Sequence, residues 1–267
     1  MNPDSLENTS LVVIGGTTGL GLSASLSFMR AGASVVAVGR NEDNVIKAQA
    51  EMEKIDPGRG HAIAGDAIDP ETSSGAIAAC IEKFGSFDGL YHVAGGSGRR
   101  FGDGPLHEIT VEGIDKTLDL NLKSLMLSNR AAVQTFLERN TAGRILNMGS
   151  VLGYSPSPQY FSTHVYAAAK AAIIGFTKAT AAYYAASNIR FNVIAPALVE
   201  TPMAQRAAND DVIQNFIKTK QPLDGGRIGC PEDLDGLATY LLSEQSRFVT
   251  GQVIAVDGGW TVSEGQL

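Results

Sequence analysis

Tyr166 and Lys170 frame the run Tyr-Ala-Ala-Ala-Lys. On a helix, residues at i and i+4 share a face, so this phenol and ammonium project the same way. A free phenol titrates near ~10. A neighbouring cation favours the phenolate and draws that value toward neutrality, which makes the tyrosine a usable general acid and base. Ser150 closes the run Arg144-Ile145-Leu146-Asn147-Met148-Gly149, where its hydroxyl can hold a carbonyl oxygen while Tyr166 donates a proton to it. Asn121 is a polar residue in the otherwise apolar helical stretch Leu120-Asn121-Leu122-Lys123. Taken singly, Y-x-x-x-K also describes an ordinary exposed helix face, and a lone asparagine is an ordinary core amide. Their context is what points to chemistry.

That context begins with the apolar run Leu11 to Ile14, which passes into Gly15-Gly16-Thr17-Thr18-Gly19-Leu20-Gly21 and then directly into a helical pattern. Glycines between a first strand and a first helix permit a tight turn and close approach of backbone to a pyrophosphate. The N–H groups and dipole of the helix N-terminus face the anion. The spacing is G-x-x-x-G-x-G rather than the more common G-x-G-x-x-G, and a strand-to-helix turn alone would also use it. The second strand selects the dinucleotide. NAD sites place an acid about 20 residues on for the ribose 2′-OH, whereas an arginine suits a 2′-phosphate. Here Val38 is followed by Gly39 and Arg40, so NADP(H) is the preferred cofactor and NAD(H) the alternative; the plainer role for Arg40 is to cap the strand and pair with Glu42 or Asp43. Asp66, just past the third strand and followed by Ala67, is placed for the adenine amino group or, more plainly, for the start of the next helix.

Short apolar runs at Leu11 to Ile14, Ser34 to Val38, His61 to Ala64, Leu90 to Ala94, Ile145 to Met148, Phe191 to Ala195 and Val253 to Val256 read as seven strands. Helical spacing runs from Leu20 to Ala31, Asn41 to Ile55, Pro70 to Phe84 and Val165 to Ala186. Strands alternating with long helices imply an α/β, Rossmann-like, doubly wound parallel sheet of seven strands with helices on both faces. No linker or fixed-period repeat divides the chain, so residues 1–267 read as one dinucleotide-binding and catalytic domain. The segments Gly95 to Pro105 and Gly153 to His164 break the rhythm. Both follow strand ends, where ligands bind in open α/β sheets.

Composition narrows the class. The 267 residues suffice to bury roughly 70–75% of the unfolded surface without disulfides or a structural metal. Cys80, in an apolar helical pattern, and Cys230, before Pro231, read as reduced thiols of an intracellular, cytoplasmic protein. A net charge of −7 argues against nucleic acid as a partner. The polar start MNPDSLENTS lacks a basic region followed by an apolar core, and Lys170 and Lys178 interrupt the most apolar stretch, so no membrane segment is expected. Neither H-E-x-x-H nor C-x-x-C occurs, and no metal is expected. Glycine is in excess, 30 residues or about 11% against a typical ~7%.

In this order, the glycines 15, 19 and 21, Asp66, Asn121, Ser150, Tyr166 with Lys170, the run IRFNVIAPALVETPM at 189–203 and VTGQVIAVDGGW at 249–260 resemble the compact, single-domain branch of the short-chain dehydrogenase/reductase family. The resemblance covers nearly the whole chain. It implies an NAD(P)-dependent oxidoreductase that moves a hydride between nicotinamide and a secondary alcohol or ketone. Tyr166 is then the proton donor or acceptor and Ser150 the residue that positions the carbonyl. Lys170 binds the nicotinamide ribose and lowers the Tyr166 pKa, and Asn121 anchors a water that relays protons to Lys170. Val199 and Thr201 match positions that contact the nicotinamide carboxamide. The cofactor set is completed by Gly15, Thr17, Thr18, Gly19, Leu20, Gly21, Arg40, Asp66, Ala67, Ala94, Gly95 and Pro196, with Tyr166 and Lys170. The family usually assembles as tetramers through the helix that begins near Val165, and a homotetramer or homodimer is expected. Three departures stand out: His92 replaces an asparagine of Asn-Asn-Ala-Gly, Pro196-Ala197 replaces Pro-Gly, and Ser150 and Tyr166 lie sixteen residues apart, a few more than is common.

The substrate side is less patterned. Gly98-Arg99-Arg100-Phe101-Gly102-Asp103-Gly104 places two arginines where they can meet a carboxylate or phosphate, or form an ordinary solvated loop or a subunit contact. His164 can reach a substrate hydroxyl or be structural. The segment Met203 to Gly229 is expected to line the pocket. A small, polar, acidic or sugar-like carbonyl/alcohol pair follows as the expected substrate. A non-catalytic dinucleotide sensor or scaffold on the same fold and a 3-oxoacyl reductase-type activity are the alternatives; an epimerase or dehydratase is disfavoured because no added substrate domain is visible.

Overall fold

The apolar runs pair as parallel strands because the central ones are buried on both faces, which only a sheet covered by helices on each side allows. In the computed structural model, which describes residues 5–202 and 204–266, β1 (Ser10–Ile14), β2 (Ser34–Gly39), β3 (Gly60–Ala64), β4 (Gly89–His92), β5 (Gly143–Met148), β6 (Ile189–Pro196) and β7 (Val253–Val256) form one sheet in the order β3-β2-β1-β4-β5-β6-β7. All the pairings are parallel. The order reverses between β1 and β4, so the crevice of this fold opens at their carboxyl ends.

Alternate residues of each strand feed two cores. Leu11, Val13, Val35, Ala37, Leu146 and Met148 pack on α1 (Gly19–Arg30) and α9 (Glu232–Leu242). Val12, Ile14, Val36, Val38, Leu90 and Ile145 pack on α3 (Pro70–Phe84), α5 (Ser124–Arg139) and α6 (His164–Tyr184). α2 (Glu42–Ile55) starts at Asn41, whose side chain accepts from Asn44 N. Asp69 caps α3 in the same manner, with Pro70 at the first helical position. These local signals explain why the helix expected over Pro70 to Phe84 forms over those residues.

Two elements differ from expectation. β4 ends at His92 rather than Ala94, although Val93 and Ala94 still donate to Ile14 O. The stretch around Asn121 is not a plain helix: between α4 (Val111–Leu118) and α5 lies a wide π turn, Asp119–Lys123. Such a turn swings a side chain off the regular helical face and recurs at functional sites. Beyond β6 the chain forms the short α7 (Gln205–Ala208) and α8 (Asp211–Lys220), over the carboxyl ends of β6 and β7. Met203 and the first four residues, on which two expectations bear, lie outside the described residues. Cys80 and Cys230 are both free, and burial pushes the Cys80 thiol up to about 12. Among the described residues no helix is long and apolar enough to cross a membrane.

Candidate active site

A groove runs along the carboxyl ends of the strands in two parts that share Leu20, Val93, Gly95 and Thr201. The first part, about 340 Å³, is lined by Gly15, Thr17, Thr18, Gly19, Arg40, Asp66, Ala67 and Ala94. Gly15 has φ +86, and a Cβ on Gly21 would lie 2.0 Å from Gly15 O, so the turn closes only without side chains there. α1 begins with no side-chain cap at Thr18 and no acid in its first turn, which leaves its positive end facing the groove. That is the chemistry a pyrophosphate requires, and the residues fit a dinucleotide. Arg40 does not pair with Glu42 or Asp43. Its guanidinium stands 3.9 Å from Asp66, both side chains half-exposed at the rim, so the two residues expected to select the ribose and the adenine meet at one place.

The second part, about 400 Å³, brings together Ser150, Tyr166 and Lys170 with Met148, Pro196, Val199 and Thr201. Ser150 follows β5 and starts a short turn, its Oγ accepting from Leu152 N at 3.2 Å. Tyr166 lies in the first turn of α6 and lines the same cavity as Ser150, close enough for the serine hydroxyl to favour the phenolate. Lys170, one turn on, is buried. Its Nζ donates to Met148 O at 2.8 Å and stands 5.5 Å from the centre of the Tyr166 ring. The helical spacing and the strand end thus converge as expected.

The phenol of Tyr166 and the ammonium of Lys170 share this cavity. Burial pushes the phenol above its ordinary value, and the opposing pull comes from the Ser150 hydrogen bond. Burial also holds Lys170 down at about 8. Burial penalises phenolate and ammonium alike, which favours the neutral phenol that can donate a proton. Asn121 is buried in the π turn, and its side chain bonds the loop that follows β4. Its Oδ1 accepts from Gly96 N at 3.1 Å, and its Nδ2 donates to Gly96 O and Thr117 O, both at 2.9 Å. The carboxamide clamps the loop after β4 against the π turn. His92, standing in for an asparagine, is buried and neutral: burial pushes it down to about 3, and its ring nitrogens meet Ser128 Oγ at 2.8 Å and Ala94 O at 3.1 Å.

A family model described as enoyl-(acyl carrier protein) reductase matches residues 15–261. The chain is 30% identical over 257 residues to 3-oxoacyl-(acyl-carrier-protein) reductase FabG of Thermotoga maritima, covering 96% of this chain and 99% of that one. It is 32% identical over 260 residues to 2-(S)-hydroxypropyl-CoM dehydrogenase 3 of Xanthobacter autotrophicus, covering 96% and 98%. The solved structure of a short-chain type dehydrogenase/reductase from Mycobacterium ulcerans superposes with a TM-score of 0.88 at 28% identity, over 97% of this chain and 92% of that one. The chain belongs to the short-chain dehydrogenase/reductase family. Proteins of this family are oxidoreductases that use nicotinamide dinucleotides, and the relatives above include both dehydrogenases and reductases.

Within this short-chain dehydrogenase/reductase site two side chains escaped the sequence reading. Asp103, in the arginine-bearing loop, is buried and accepts from Val165 N at 3.0 Å and Tyr166 N at 2.9 Å. Thr163, at the N-cap position of α6, makes no side-chain cap, so the helix that carries Tyr166 is capped from 60 residues away along the chain. Arg206, on α7, reaches the cavity that holds Tyr166. Its only sequence signal was membership of the segment expected to line the pocket. His164, for which a substrate contact and a structural role were both open, is exposed at the start of α6 and is not among the described residues that line the cavity.

Proposed function

We propose that this protein is an NADP(H)-dependent reductase or dehydrogenase of a small polar ketone/alcohol pair, with Tyr166 as general acid and base. The observation that carries it is the junction of Ser150, Tyr166 and Lys170 in one cavity with the glycine-lined groove. In the reducing direction the carbonyl carbon gains a hydride from the reduced nicotinamide, which is oxidised, and the carbonyl oxygen gains the Tyr166 proton to give the alcohol. Ser150 holds that oxygen beside the phenol. Lys170, directed at the pocket from one helical turn on, is placed for the nicotinamide ribose, and Val199 and Thr201 for the carboxamide. Arg40 supports NADP(H) because a guanidinium suits a 2′-phosphate better than a hydroxyl. Its partner Asp66 is available for the adenine. Exposed small residues along α6, including Gly175 where a Cβ would meet nothing within 4 Å, leave a face on which copies of the chain can assemble as a homodimer or homotetramer.

Tyr166→Phe tests the reading. Turnover of ketones with NADPH should fall by about 10²–10⁴-fold, the range for a lost general acid, while NADPH fluorescence on titration shows cofactor affinity within a few-fold of the wild type. Retained turnover removes Tyr166 from the chemistry. Cofactor binding without turnover in the wild type over a broad carbonyl panel favours the sensor alternative, against which the complete Ser150, Tyr166, Lys170 and Asn121 set weighs. Likeness to the Thermotoga reductase supports a second reading, reduction of 3-oxoacyl thioesters, which the same panel tests.

A further inference from the structure

The outer wall of the catalytic cavity carries three guanidiniums, those of Arg99, Arg100 and Arg206. Two of them come from segments more than 100 residues apart and meet over one acceptor. Arg99 Nη2 donates to Tyr160 O at 3.4 Å, and Arg206 Nη2 donates to the same oxygen at 3.1 Å. A peptide carbonyl is a dipole and cannot neutralise two like charges. Each guanidinium has five N–H donors, and among the described residues neither side chain makes another hydrogen bond. No aspartate or glutamate is among the described residues that line this cavity. The carboxylate close enough to favour the charged form of Arg99 is Asp103, which is spent on the first turn of α6, while Arg206 opposes that form. Arg100 lies with its Cζ 4.5 Å from the Phe101 ring and adds to the same sign of field. Below this rim the walls are apolar, with Leu152, Phe161, Ala207 and Trp260. These exposed cations converge above an apolar throat and make a locally positive rim in a protein of net charge −7.

We infer that the substrate ends in an oxyanion, a carboxylate, sulfonate or phosphate, which Arg99 and Arg206 grip together while its carbonyl lies against Ser150 and Tyr166. The inference rests on the hydride-transfer reading for the carbonyl end and on the arginine pair for the other. A guanidinium fork matches an oxyanion in a bidentate manner, and two such forks can hold it from both sides.

The test pairs each of 3-oxobutanoate, 4-oxopentanoate and 5-oxohexanoate with its methyl ester, assayed with NADPH, and adds the sulfonate and phosphate analogues of the best acid to tell the three anions apart. At the best length one of these anions should exceed its neutral ester by at least about tenfold in kcat/KM, through KM, and Arg99→Gln or Arg206→Gln should collapse that ratio toward one. Equal or better turnover of esters at every length overturns the inference. In parallel, the fluorescence of Trp260, the only tryptophan in the chain and part of the cavity wall, is titrated with the same acids and esters. A saturable change with an acid and not its ester, lost in the Arg99→Gln/Arg206→Gln double variant, supports the anion site even if nothing is turned over; in that case the hydride-transfer reading has failed and the anion site has not. Equal titration by acid and ester, or an acid response that survives the double variant, overturns it.

Discussion

At the β1–α1 end of the groove, Gly15 and Gly21 carry no side chains, so the backbone can turn and pack where a Cβ would collide with neighbouring backbone. At the Tyr160 end, Arg99, Phe161, Arg206 and Trp260 arrive from separate segments and build the wall out of side chains. The first end offers N–H groups and a helix dipole, which read a phosphate whatever else the ligand carries. The second offers charge and shape, which discriminate between ligands. One end is therefore fixed by a few contiguous residues with little freedom to vary, and the other by a tertiary arrangement that can vary without disturbing the first.

Adding a methyl group at the backbone end is the strongest way to break this contrast. In Gly21→Ala the new Cβ would meet Gly15 O at 2.0 Å, and since that contact is with backbone, no rotamer relieves it. The expected outcome is loss of NADPH binding by more than about 100-fold in calorimetry, accompanied by destabilisation on the order of a few kcal/mol. Near-normal affinity would show that the turn is not held by close packing.

Asp103 ties the arginine end to α6, because it belongs to the arginine loop yet caps the helix of Tyr166. Asp103→Ala strips a charged acceptor from two N–H groups, with an expected loss of about 1–3 kcal/mol in denaturant unfolding. A kcat decrease of about tenfold should exceed any change in NADPH affinity, with partial rescue by Asp103→Asn, which restores one acceptor oxygen. A fall in stability with kcat unchanged would reduce Asp103 to a structural cap.

The smallest effect concerns the Lys170 ammonium. Its pKa falls from an unfolded value near ~10.5 to about 8 on burial, so between those values the unfolded chain binds more protons and stability rises with pH. Below about pH 8 the buried charge costs its full penalty. Lys170→Met should therefore be more stable than the wild type at pH 7, by on the order of 1–2 kcal/mol once the lost hydrogen bond to Met148 O is offset. That advantage should shrink as pH climbs from 8 to 10.5. Thermal melts of the two proteins across that range check the sign, and a pH-independent difference would mean the ammonium is better solvated than its burial implies.

Much of the backbone end was legible because its determinants are local. Hydrophobic alternation and caps define Pro70–Phe84 and Val253–Val256 where they were expected, and the glycine spacing marks the turn before α1. The proposed pair of Tyr166 and Lys170 was legible for the same reason, since i and i+4 on one helix need no tertiary information. The π turn at Asp119–Lys123 was not, because a wide turn depends on what its side chain must reach, here Gly96. Nor were the cap from Asp103 to Tyr166 or the meeting of Arg99 with Arg206, which join residues far apart in the chain.

By itself the sequence determined the family, the seven-stranded parallel sheet and the identity of Ser150, Tyr166 and Lys170, since strand runs, helix period and glycine turns are short-range properties of the chain. Only the tertiary structure decided the protonation of the site and the charge on its rim. A pKa depends on the dielectric around a group, and an anion site depends on which distant side chains share a wall; neither is a property of neighbours in sequence.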